Sequence, residues 1–325
     1  MQHEVVIKTT SRFGLKGVVI MAIVQTNVNY TSQINNNTIR QLNERYPFLE
    51  LHEIGKSVLG TPILCLKIGM GSQKVFYNAA FHANEWITTP ILLRFAEELA
   101  EAYSTRGRLY GIDVSRLLRK VTLYLVPMVN PDGVDLVNGA IKEENILRNV
   151  KQIADRYPGI SYPSGWKANI RGVDLNLQFP AEWNMAKQIK YEQGFTTFAP
   201  RDFVGEGPLT EPESLAVYNL SLQENFDLIL AYHSQGEVIY WKFLDYEPPR
   251  SREIALYFGE VSGYTVEETP IASGYAGYKD WFIQNYNRPG YTIEVGQGMN
   301  PLPIEQFQQI YLDNIGILLG GMTEV

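Results

Sequence analysis

Apolar and polar positions along this chain alternate between short strand-like runs and longer helical ones. From Asn35 to Tyr46 the pattern reads as a helix with a polar cap, and Pro47 ends it because proline cannot extend the hydrogen-bond ladder. Three β-leaning runs follow, Leu51 to Ser57, Pro62 to Ile68 and Lys74 to Ala80, separated by Gly-containing turns at 59–61 and 69–72. Ile87 to Tyr103 has helical spacing, a shorter helical stretch covers Val114 to Leu118, and Val121 to Met128 is an apolar strand. That strand ends at Asn130-Pro131-Asp132-Gly133, a turn signature. Beyond a long region of helix and loop, Phe226 to Tyr232 is a continuous apolar run with the length of a buried central strand. Val238 to Phe243 and Gly290 to Val295 read as further strands, and Ile304 to Leu319 as a closing amphipathic helix. Strands alternate with helices without a repeat, a linker or a break in composition, which predicts one three-layer α/β domain.

Composition narrows the functional classes. With 325 residues, 45% of them hydrophobic, the chain can bury a sizeable core. A net charge of -7 and the lack of a Lys/Arg block argue against nucleic acid as a partner. Cys65 is the single cysteine, which excludes an intrachain disulfide and four-cysteine zinc sites; any metal must be held by His, Asp or Glu. Lys8, Arg12 and Lys16 precede the apolar run Gly17 to Val24, which loosely imitates a signal peptide, but no small-residue cleavage site follows directly. Residues 1–24 are expected to form an arm or extension ahead of a catalytic domain over 25–325. No segment has the roughly 20 apolar residues of a membrane span. The expected location is the cytoplasm, with secretion or spore and wall association as alternatives.

The candidate chemistry starts at Phe81-His82-Ala83-Asn84-Glu85-Trp86, a His and a Glu two residues apart at a strand-to-helix junction. Imidazole and carboxylate both suit zinc. The other histidines are His3, in the expected arm, His52, a polar position on an alternating strand, and His233. His233 stands at the C-terminal end of the Phe226–Tyr232 run, where open α/β sheets place their sites. Three protein ligands with one open position make a catalytic zinc site. Glu294, in the apolar strand Tyr291-Thr292-Ile293-Glu294-Val295, must be paired, protonated or functional, because burying a lone carboxylate is costly.

Taken together, His82-x-x-Glu85, Asn130-Pro131-Asp132-Gly133, Gly172-Val173-Asp174-Leu175-Asn176, His233-Ser234 and Glu294 resemble the zinc carboxypeptidase family of metallopeptidases, from about Tyr30 to the C-terminus. The resemblance implies a three-layer α/β/α fold around a mixed central sheet of about eight strands. It implies one zinc ion on His82, Glu85 and His233, with Glu294 as general base and then general acid. It also implies an oxyanion-stabilising Arg, for which Arg171 is the first candidate and Lys167 or Arg148 the substitutes. Asn176 and the residue after it belong to the substrate-binding region, and Tyr275 and Tyr278 are the candidates for a substrate-closing Tyr.

One position departs from the family pattern. Ordinary carboxypeptidases follow that Asn with an Arg that grips the substrate's terminal carboxylate, whereas here Leu177 follows, and Leu cannot act as a guanidinium clamp. The runs Trp166 to Asn176 and Thr292 to Pro303 are similar to the bacterial γ-D-glutamyl-L-diamino acid endopeptidase branch, which implies a muropeptide substrate cut between γ-D-glutamate and diaminopimelate or Lys. Some members of that branch carry wall-binding LysM repeats, and none is expected here. The rivals are a conventional metallocarboxypeptidase, an N-acyl amino acid amidohydrolase on the same scaffold, and an inactive binding module.

Overall fold

Two continuous apolar runs, Val121–Val126 and Leu228–His233, are buried at every position, as strands covered on both faces must be. They belong to a computed structural model that describes residues 22–271 and 274–325. His3 and most of the expected arm lie outside the described residues. Ile23 and Val24, at the arm's end, are buried, and their amides donate to the Glu97 carboxylate at 2.6 and 3.3 Å.

In chain order the elements are α1 (Ser32–Arg45), β1 (Glu50–Lys56), β2 (Pro62–Ile68), β3 (Gln73–Ala79), α2 (Thr88–Ser104), the two-residue strands β4 (Arg108–Leu109) and β5 (Ile112–Asp113), α3 (Val114–Leu118), β6 (Val121–Val126), α4 (Pro131–Val137) and α5 (Glu144–Ala154). Then come α6 (Trp183–Glu192), α7 (Pro212–Glu224), β7 (Leu228–His233), β8 (Val238–Tyr240), α8 (Ser251–Ser262), β9 (Thr265–Glu267), α9 (Tyr278–Tyr286), β10 (Gly290–Glu294) and α10 (Phe307–Thr323).

Eight strands form one mixed sheet in the order β1-β2-β6-β3-β7-β10-β8-β9, in agreement with the expected architecture. The central four, β6, β3, β7 and β10, run parallel. At the margins β2 is antiparallel to both β6 and β1, and β8 is antiparallel to β10. Alternation along β3 divides the core. Val75 and Tyr77 join the cluster that includes Leu92, Phe95 and Leu318 of α2 and α10, while Phe76 joins Phe226, Trp281 and Phe282 on the opposite face. Each such buried side chain contributes about 2 kcal/mol. Tyr77 donates from its hydroxyl to the Leu318 carbonyl at 2.8 Å, and a side chain at Gly321 would meet that hydroxyl at 2.4 Å, so the approach of α10 requires glycine.

The C-terminal ends of the four parallel strands share one edge, and β3 has β6 on one side and β7 on the other. Such a reversal opens a crevice beyond the strand ends. His82, Glu85, His233 and Glu294 are all placed there by this topology.

Three local expectations change. Asn130-Pro131-Asp132-Gly133 is the start of α4 rather than a free turn: Asn130 Oδ1 accepts from Gly133 N at 3.1 Å, and Pro131 occupies the first helical position, where a missing N–H costs nothing. The strand expected over Val238 to Phe243 stops at Tyr240. The closing helix is preceded by a 3-10 turn at Ile304–Gln306, runs on to Thr323, and is buried on all sides over Ile317–Met322, so only its first half is amphipathic.

Candidate metal centre

β3 leads to the first two candidate ligands. Ala80 takes a positive φ of 51°, and the chain then enters a 3-10 turn, Ala83–Glu85, before α2. Thr88 locks the turn: its hydroxyl donates to the Glu85 carbonyl at 2.7 Å and accepts from Ala80 N at 3.1 Å. Asn130 joins this loop to a second one, donating from Nδ2 to the carbonyls of Phe81 and Ala168, both at 3.1 Å. A side chain at Gly133 would collide with Asn130 at 2.6 Å, so the junction depends on glycine there.

His82, Glu85 and His233 converge, with one candidate ligand atom from each lying within 4.8 Å of the others. His82 Nδ1 is 3.0 Å from Glu85 Oε1 and 3.2 Å from His233 Nδ1, and His233 Nδ1 is 2.9 Å from Glu85 Oε2. All three side chains are nearly inaccessible, and Glu85 Oε1 has His82 Nδ1 and Lys167 Nζ as its close neighbours, at 3.0 and 2.9 Å. Two imidazole nitrogens and a carboxylate facing one point make a donor set that fits zinc.

Asp174 fixes the tautomer. His82 Nε2 lies 3.1 Å from Asp174 Oδ1, and an ionised carboxylate can only accept, so Nε2 carries a proton and Nδ1 is the nitrogen left for a metal. Burial alone would raise the Asp174 pKa, but His82 and Lys167 outweigh it and hold the carboxyl well below its ordinary range. Burial would likewise lower His82, yet in the metal-free cluster Glu85 and Asp174 raise it to about 9, so Nδ1 also holds a proton there, which a bound metal would displace. Glu85 is held far down, since His82 and Lys167 outweigh the cost of burial.

Glu294 and His233 are register partners on the parallel strands β10 and β7, so the carboxylate stands beside the ligands. Burial pushes its pKa upward, and the Glu85 carboxylate adds to the push, against Lys167 and His82. Glu294 lines a cleft of about 600 Å³ with Lys167, Arg201, Asn84, Gln235 and Tyr240. A larger cleft, about 880 Å³, lies near Phe48 and Met70, remote in the fold from these ligands.

Several expected residues are placed elsewhere. Arg171 is half exposed, with Nη1 3.5 Å from Glu211, and does not line the cleft. Arg148 is on the exposed side of α5. Lys167 is the cation that faces the ligands: its Nζ is 2.9 Å from Glu85 Oε1, and that carboxylate keeps it protonated against the effect of burial. The reason lies in the backbone, since the amides of Lys167 and Ala168 both donate to the Pro200 carbonyl and fix which side chain of the loop turns inward. Tyr278 is fully buried, donates or accepts at Ser221 Oγ at 2.8 Å and stacks on Phe81, so it is a core residue. Tyr275 packs partly buried against the cluster of Leu177, Ala186 and Val204, and Leu177 itself is buried there and does not line the cleft. Asn176 accepts from Tyr278 N at 3.0 Å and anchors the start of α9. The placement of Asp174 beside His82 and of Arg201 and Tyr240 in the cleft lining escapes the sequence pattern, although Asp174 carries a signal as a charged residue inside Gly-Val-Asp-Leu-Asn.

Residues 35–315 match the family described as Zinc carboxypeptidase. The chain is 46% identical over 300 residues, 92% of its length and 74% of the relative's, to gamma-D-glutamyl-L-diamino acid endopeptidase 1 of Lysinibacillus sphaericus. It is 43% identical to the uncharacterized protein YqgT of Bacillus subtilis, covering 86% of this chain and 73% of that one. Carboxypeptidase A of Helicoverpa armigera superposes with a TM-score of 0.68 at 20% identity, over 91% of this chain and 73% of that chain, which is a likeness of fold.

Proposed function

This chain belongs to the zinc carboxypeptidase family, and from that premise we propose that it hydrolyses the bond between γ-D-glutamate and a diamino acid, diaminopimelate or Lys, in peptidoglycan stem peptides. The observation that carries the hydrolytic part is the convergence of His82, Glu85 and His233 beside Glu294 and Lys167 in one cleft. The substrate part rests on the Lysinibacillus relative and on Leu177, which occupies the position after Asn176 as a buried apolar side chain. A buried Leu gives a terminal carboxylate nothing to pair with.

Zinc bound by His82, Glu85 and His233 would polarise a water and the scissile carbonyl. Glu294 takes the proton of the attacking water at its carboxylate and returns it to the departing amine. Burial raises this carboxyl in the metal-free cluster, and the charge of a bound zinc would draw it down again, leaving a carboxylate able to make both transfers. Lys167 holds a fixed positive charge where the carbonyl oxygen gains negative charge. Asp174 keeps the proton of His82 on Nε2, so that Nδ1 remains a ligand.

Chelation followed by metal replacement tests this reading. Chelator-treated protein should lose cleavage of L-Ala-γ-D-Glu-diaminopimelate and regain it with one equivalent of zinc, whereas Glu294→Gln should bind zinc and remain inactive. Cleavage that survives chelation, or an active Glu294→Gln protein, would overturn it.

A further inference from the structure

Lys167 and Arg201 are the two basic residues that line the metal-site cleft among the described residues. Lys167 is committed to Glu85. Among the described residues Arg201 is committed at one nitrogen only: its Nε donates to Asp202 Oδ2 at 2.6 Å, while the side chain stays 42% exposed. A surface ion pair of this kind adds little stability, so stability alone gives no reason for an arginine at the mouth of the cleft.

The guanidinium is nonetheless held firmly. Asp202 accepts from Lys190 Nζ at 2.6 Å through its other oxygen, and its amide donates to Asp174 Oδ2 at 3.2 Å. The residue before Arg201 is Pro200, whose carbonyl accepts from the amides of Lys167 and Ala168 at 2.8 and 2.9 Å. One hydrogen-bonded unit therefore carries both cations and reaches the partner of His82. Two terminal nitrogens of a guanidinium fixed at Nε form a fork that matches a carboxylate.

We infer that Arg201 is a specificity-determining residue that receives the free α-carboxylate of the γ-linked glutamyl residue. The inference rests on the proposed γ-D-glutamyl substrate. Linkage through the side chain leaves the glutamyl α-carboxylate free, and in an extended conformation it lies roughly 5 Å from the scissile carbonyl carbon. In an ordinary α-linked peptide the backbone puts a neutral amide on that side of the bond, and an α-linked Glu side chain is the exception that brings a carboxylate equally near. With the carbonyl oxygen at Lys167, a carboxylate a few bonds away meets the adjacent cation on the same rigid unit. Arg201 thus separates γ-linked glutamyl substrates from common peptides by charge on the acyl side of the bond.

The test compares two peptides that differ at one group, L-Ala-γ-D-Glu-L-Lys and the same peptide with the glutamyl α-carboxylate as an amide, on the full zinc-loaded protein. Wild type should favour the free acid in kcat/KM by on the order of tenfold or more, the scale of one lost charged hydrogen-bonding partner. Arg201→Gln should lose that preference by slowing the acid alone, and Arg201→Lys should keep part of it. Equal rates for wild type on both peptides would overturn the inference. So would an Arg201→Gln protein slowed equally on both, which would mark a structural role through Asp202. A second readout needs no turnover: calorimetry of L-Ala-D-Glu against L-Ala-D-isoglutamine should show about tenfold tighter binding of the former to wild type and no difference for Arg201→Gln. Failure to cleave either peptide, with this binding difference intact, would refute the proposed reaction but not the role of Arg201; equal binding would refute that role.

Discussion

His82 and Asp174 are joined by a 3.1 Å hydrogen bond between Nε2 and Oδ1, made where the side chains are almost wholly buried. The bond decides which imidazole nitrogen is free to bind metal, and it ties the ligand to the loop that carries Arg201 and Asp202. Replacing Asp174 with Asn removes the charge that holds the proton on Nε2. Zinc affinity should fall about 10- to 100-fold, the usual effect of losing such a partner. Chelator competition measures it, and an unchanged affinity would reduce Asp174 to a structural role.

Lys167 and Arg171 are four positions apart in one loop, yet only Lys167 enters the cleft. Lys167→Met should lower kcat about 10²- to 10³-fold, as expected when a group that stabilises developing negative charge is lost. Arg171→Ala should leave kcat within about twofold of wild type, because among the described residues its guanidinium reaches only Glu211, at 3.5 Å. Steady-state kinetics of the two variants decide between the residues. A larger loss for Arg171→Ala would restore the expectation drawn from the sequence.

Leu177 cannot be turned into a carboxylate clamp by a single change. Its surroundings are Ala186, Val204 and Ala276, and an arginine placed among them would be a buried charge without a partner. Leu177→Arg should cost about 3 kcal/mol or more in denaturant unfolding and should gain no release of C-terminal residues. A stable variant with that activity would show that the position faces substrate.

Glu213, inaccessible near the start of α7, accepts from Val58 N at 3.1 Å and from Asn169 Nδ2 at 3.3 Å. Burial raises its pKa from 4.5 to about 7. Because the folded state holds the proton more tightly than the unfolded state, its contribution is favourable below about pH 4.5 and is lost as pH rises through 7. Glu213→Gln should therefore be more stable than wild type at pH 8, by on the order of 2 kcal/mol, and close to it at pH 4. Melting temperatures across this range give the difference, and a gap independent of pH would contradict the assignment.

The candidate ligands and Glu294 were legible in the sequence because they sit at, or one turn beyond, the ends of apolar strands, and a His or Glu in such a place has few bland explanations. The sheet was legible for the same reason: its central strands are long apolar runs between clear turns. Lys167 was not separable from Arg171, since the loop is irregular and its inward side is set by a carbonyl 33 residues away, at Pro200. Tyr278 has the spacing of a mobile loop aromatic, but a cap from Asn176 makes it the first residue of α9. Arg201 carries no motif; only the folded chain brings it beside Lys167.

The most direct test of the account is the mass of the products released when zinc-loaded protein acts on L-Ala-γ-D-Glu-meso-diaminopimelate alongside an α-linked peptide of equal length. L-Ala-D-Glu and free diaminopimelate are expected from the first, with negligible cleavage of the second. Release of C-terminal residues from the α-linked peptide, with the γ-linked peptide intact, would contradict it.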